Sequence, residues 1–97
     1  IIVKQKQGRF YLWSMEKVIT SEISFIPIQS TNYKADVEEV LTIITDSGLE
    51  NHVGLMSTTI KGNKQSVFSL IQKIFDAMEN KTRFTITLKL SNECGCN

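Results

Sequence analysis

Near the end of the chain apolar and polar positions alternate without a break. Phe84, Ile86, Leu88 and Leu90 interleave with Thr85, Thr87, Lys89 and Ser91. A period of two predicts a strand with one apolar face turned to a core and one polar face left open. Upstream, Val67, Phe68, Ile71, Ile74, Phe75 and Met78 recur at helical spacing behind Asn63. They predict an amphipathic helix capped by Asn63 and stopping at Asn80. A shorter helical pattern, Val37, Val40, Leu41 and Ile44, closes on Ser47-Gly48, with the glycine as its C-cap. Residues 22–29, "EISFIPIQ", read as a first strand, and Pro27 within it argues for an edge, a bulge or a bend. Between the helices, His52 to Lys61 reads as either one bent strand or two strands joined by a tight turn. Gly62 is assigned to the turn into the second helix.

The order strand, helix, one or two strands, helix, strand predicts an α+β fold of the ferredoxin-like βαββαβ type, an antiparallel sheet with two helices on one face. The other face is then available for function or self-association. The chain has 97 residues, enough for one domain with a thin core that burial at a subunit contact would supplement.

Bulk properties narrow the options further. A net charge of +1 is too small for the positive field that nucleic acid or anionic membranes attract. Residues 1–14 hold Lys4, Lys6 and Arg9 and no acid, which leaves the body mildly acidic. That segment also precedes Met15 and differs in aromatic content, so it reads as an extension of artificial or upstream origin, with residues 15–97 as the single domain. The alternative is an added edge strand over Arg9 to Trp13. No apolar run reaches the ~20 residues that cross a bilayer and no leader pattern opens the chain, so a cytoplasmic protein without membrane insertion is expected.

The usual catalytic and metal-binding signatures are weak. His52, the single histidine, opens an apolar strand with no acid at a telling spacing, which fits a structural or solvated role better than a triad. Asp36, Glu38 and Glu39 complement a helix dipole near its N-terminus. Cys94 and Cys96 would close only a very small, strained disulfide ring, and a structural zinc needs four ligands where they supply two. Gly54, Gly62 and Gly95 are too scattered for a phosphate-binding loop. The open-face positions Thr85, Thr87 and Lys89 lack the aromatic residues that stack on RNA bases. No catalytic residue, metal site or cofactor is expected.

The stretch 56–62, "MSTTIKG", sets three hydroxyl residues in a row inside an apolar segment. Ser and Thr suit a bulge or bend, and Met56 suits core packing, as Thr85 and Thr87 suit a half-exposed strand. A ligand-facing surface is the other reading of the run.

Together "ISFIPIQ", "SGL", "VGLMSTTIKG", "VFSLIQKIFDAM" and "FTITLKLSNECGC" make the chain resemble the YkoF-like thiamine and hydroxymethylpyrimidine-binding proteins and the related single-domain thiamine-binding family. The most specific pieces are Met-Ser-Thr-x-Ile-x-Gly at 56–62 and Leu-Ser-Asn-x-Cys at 90–94. The resemblance implies a non-enzymatic cytoplasmic binder of thiamine or its pyrimidine precursor that supports vitamin uptake or salvage. YkoF pairs two such units in one chain, so this single unit is expected to form a homodimer or homotetramer. The edge of an aminopyrimidine presents donors and acceptors, and its faces need apolar or aromatic contact. Ser57, Thr58, Thr59, Asn92 and Ser24 are the candidates for the edge, and Phe25, Leu55 and Met56 for the faces. No acid stands out on the open face to meet a thiazolium cation, which favours the pyrimidine moiety. The alternative is a homo-oligomeric interaction or regulatory domain without a small-molecule pocket.

Overall fold

The longest strand, β1 (Val18–Ile28), organises the rest of the computed structural model. The structure describes residues 17–93, together with the backbone of Gln5–Lys6 and Arg9–Phe10. After β1 come α1 (Tyr33–Asp46), β2 (Glu50–Val53), β3 (Thr58–Asn63), α2 (Lys64–Met78) and β4 (Arg83–Ser91). The sheet has four strands in the order β2-β3-β1-β4, and every neighbouring pair is antiparallel. This is the βαββαβ arrangement expected. Of the two readings of residues 52–61, two strands joined by a tight turn is the one adopted.

Local chemistry explains the boundaries. Asn32 accepts the Ala35 N–H at 3.1 Å and starts α1, and Asn63 accepts the Ser66 N–H at 2.9 Å and starts α2. Each satisfies one of the donors a helix leaves orphaned at its N-terminus. Beyond α1, Gly48 takes φ +77°, a left-handed conformation that a Cβ disfavours. β4 spans the alternating segment from Arg83 to Ser91.

The helices cover one face of the sheet. Ile19 and Ile23 of β1 and Ile60 of β3 pack there against Val40 and Ile44 of α1 and Val67, Leu70, Ile74 and Met78 of α2, all buried. The apolar stripe foreseen on α2 is wider than the strip that meets the sheet. Leu70 joins the core, whereas Phe68 and Phe75 remain about half exposed.

One expectation changes and another narrows to one of its alternatives. Gly62 belongs to β3, paired with Ile19, and not to a turn. A Cβ there would lie 2.7 Å from Leu49 Cδ2, so the glycine admits close approach of the segment entering β2. Pro27 causes no bulge, since β1 and β4 pair without interruption from Thr20 to Ile28. β3 pairs β1 only from Val18 to Ile23, so Pro27 occupies a stretch with a strand on one side, an edge position where a missing N–H is tolerated. Arg9–Phe10 pairs with Gln5–Lys6; the rest of the segment to Trp13 lies outside the described residues. Cys94 and Cys96 lie outside the described residues.

Candidate functional site

Because β3 begins at Thr58 opposite Ile23, residues 24–28 of β1 have no strand beside them on that side. The loop 54–57 between β2 and β3 folds into this notch. Its turn is closed by the Gly54 N–H donating to the Ser57 carbonyl at 2.8 Å. Ser24 Oγ donates to the Met56 carbonyl at 3.0 Å and fastens the loop along the free margin of β1.

Under α1, the notch forms a half-open cavity of about 190 Å³. One wall is α1, through Val37, Val40, Leu41 and Ile44; the floor is Ile23 and Phe25, with Val53 at the side. The polar lining residues are Ser24, Ser57 and Thr58; Ser24 alternates to the same side of β1 as Glu22, so it meets the cavity at its margin. Leu55 and Met56 reach the same cavity from the loop yet stand out in solvent, at 105% and 88% exposure. A space with apolar walls and a few hydroxyls at its lip is the general form of a small-molecule site.

Strand alternation divides the hydroxyl run. Thr58 pairs with Ile23 on the helix-covered side and is buried, lining the cavity. Thr59 pairs with Glu22 and His52, on the uncovered side. Ser57 contributes to both surroundings: it lines the cavity, and its Oγ donates to Glu22 Oε2 at 2.9 Å. Glu22 in turn has Lys89 Nζ 3.7 Å from its other oxygen. Of the residues singled out in the sequence, Ser24, Phe25, Leu55, Met56, Ser57 and Thr58 come together at this cavity. Thr59 and Asn92 do not; Asn92 follows β4 and is exposed.

Two features escaped the sequence reading. The stripe Val37, Val40, Leu41 and Ile44 is legible in the sequence as one helix face, but not as a wall of the cavity, which all four line. An acid does occupy the uncovered face, contrary to expectation: Glu22 lies mid-strand in β1, between Thr59 and Lys89. The strand extends to Val18, whereas the sequence segment began at Glu22 and made that residue a terminus. Alternation with Ile23 and Phe25 was the signal that could have placed it.

Among the described residues, no group of three or more His, Cys, Asp or Glu side chains is placed to hold a metal ion. No helix there is long and apolar enough to cross a membrane. His52 sits on the edge strand, paired with Thr59 on the uncovered side.

Known structures share this architecture. A domain of unknown function from Bacillus cereus superposes with a TM-score of 0.72 at 18% identity, over 84% of this chain and 81% of that one. A Thermotoga maritima protein provisionally assigned to thiamine biosynthesis or salvage gives 0.71 at 19% identity, over 80% and 86% of the two chains. A hypothetical protein from Methanocaldococcus jannascii gives 0.71 at 16%, over 84% and 86%. At such identities the likeness is one of fold. No curated protein matches the sequence significantly. The model of the family described as thiamine-binding protein matches residues 21–95, which include the whole loop-and-cavity region. The chain belongs to the thiamine-binding protein family.

Proposed function

We propose that the chain binds hydroxymethylpyrimidine, free or as the pyrimidine half of thiamine, in the cavity between α1 and the β2–β3 loop. Binding involves no covalent chemistry and serves vitamin uptake or salvage in the cytoplasm. The observation that carries this reading is the cavity itself, about 190 Å³ with apolar walls and with Ser24, Ser57 and Thr58 among its lining residues. Pockets for drug-sized ligands run roughly 300–1,000 Å³, so this volume suits a single ring. Phe25 and the aliphatic wall of α1 meet the faces of the pyrimidine, and the hydroxyls and loop backbone meet its nitrogen edge. The provisional assignment of the Thermotoga maritima protein to thiamine biosynthesis or salvage supports the same ligand class.

Thiamine would leave its thiazolium outside the cavity, near the lip formed by Ser57. Glu22 stands beyond that lip and offers the cation a carboxylate. The chain works as a homodimer or homotetramer through the uncovered sheet face. Opposite charges sit side by side on that face, Glu22 with Lys89 and Glu50 with Lys61, beside the half-exposed Ile26 and Ile28. Titration calorimetry with hydroxymethylpyrimidine, thiamine and thiamine phosphates tests the ligand, and sedimentation tests the assembly. Absence of heat and of thermal stabilisation with all of them, at concentrations far above micromolar, would overturn the binding reading.

A further inference from the structure

Phe25 is the only aromatic side chain among the residues lining the cavity, and it does not stand alone. Its ring lies 5.1 Å, centroid to centroid, from that of Phe84 at an interplanar angle of 36°. Phe84 in turn receives Phe75 of α2 at 5.1 Å and 74°, an edge-to-face contact. Phe84 pairs with Pro27 across the one-sided stretch of β1, where no third strand restrains the side chains. Phe75 is 48% exposed, so the row runs from the cavity floor to the surface of α2.

We infer that Phe84, backed by Phe75, is a positioning residue that fixes the ring of Phe25 and so makes the cavity select flat aromatic ligands. This inference rests on the pyrimidine-binding reading. Two rings at tilted and edge-to-face geometry restrict a third more tightly than aliphatic neighbours do, because offset and edge-on contacts are favoured over other orientations. A floor held in one plane loses little rotamer freedom when a planar ring settles on it, and affinity gains by that preorganisation. Leucine at position 84 would fill most of the same space but leave Phe25 free to tilt.

The test compares the full chain with its Phe84→Leu, Phe84→Tyr and Phe75→Leu variants, using hydroxymethylpyrimidine and thiamine as probes. Calorimetry measures affinity, thermal unfolding confirms the fold, and the ring-current-shifted NMR signals of Phe25 report its orientation without ligand. Phe84→Leu is expected to weaken both probes about two- to tenfold and to shift the Phe25 signals, while Phe84→Tyr restores both. Phe75→Leu is expected to give the same effects in smaller measure. Wild-type binding that Phe84→Leu leaves unchanged, or a loss that Phe84→Tyr fails to restore, overturns the positioning role alone. A wild-type chain that binds neither probe overturns the pyrimidine reading and this inference with it.

Discussion

Ser57 Oγ donates a 2.9 Å hydrogen bond to Glu22 Oε2, joining the lip of the cavity to the centre of the uncovered sheet face. The Glu22 side chain is 44% exposed and Lys89 sits only loosely against it, so the carboxylate keeps enough free charge to attract a cation nearby. Glu22→Gln is therefore expected to weaken thiamine about two- to fivefold, the scale of a partly exposed ion pair. Neutral hydroxymethylpyrimidine should bind as before. Calorimetry at low and high salt checks this, since screening should erase the thiamine preference; equal losses for both ligands would remove Glu22 from the cation's surroundings.

Thr58 and Thr59 are neighbours in sequence on opposite sides of the sheet, and their valine variants separate the two faces. Thr58→Val strands a polar group of the bound ring in a buried position, which costs about tenfold or more in affinity. Thr59→Val should leave affinity unchanged. The reverse ranking would move the ligand to the uncovered face.

Gly62 faces Leu49 so closely that a methyl group would stand 2.7 Å from Leu49 Cδ2. Gly62→Ala is expected to destabilise the fold by about 1 kcal/mol, the low end of overpacking, because the end of the leucine can swing aside. In a Leu49→Ala background that cost should vanish. Urea unfolding of the four proteins in this cycle measures the coupling.

Core and surface positions should differ sharply in cost. Ile74 is fully buried among α2, α1 and the sheet, and Ile74→Ala should lose about 2–5 kcal/mol. Lys81 pairs with Glu39 at the surface, and Lys81→Ala should lose under about 1 kcal/mol. Denaturant midpoints at constant slope decide both.

Much of the architecture was legible in the sequence because periodicity reports which residues share a face. The run from Arg83 to Ser91 could hardly be anything but a half-covered strand, and Asn63 is a clear helix cap. Periodicity does not report where a neighbouring strand stops. The cavity exists because β3 ends its pairing with β1 at Ile23, and that relation between distant segments decides why Ser24, Phe25 and the loop meet α1. For the same reason Gly62 was read as a turn residue: the Leu49 side chain that requires it arrives from thirteen positions upstream in sequence. Residue type alone kept Ser57, Thr58 and Thr59 together, while the alternation of strand side chains separates them.

The location of the ligand is tested most directly by backbone amide NMR of the full chain titrated with hydroxymethylpyrimidine. Binding in the cavity predicts saturable shifts gathered at residues 37–44 of α1 and 53–58 of the loop, with Phe25. Shifts gathered instead at Thr59, Lys61, Thr85, Thr87 and Lys89, on the uncovered face, or no saturable shift anywhere, would contradict it.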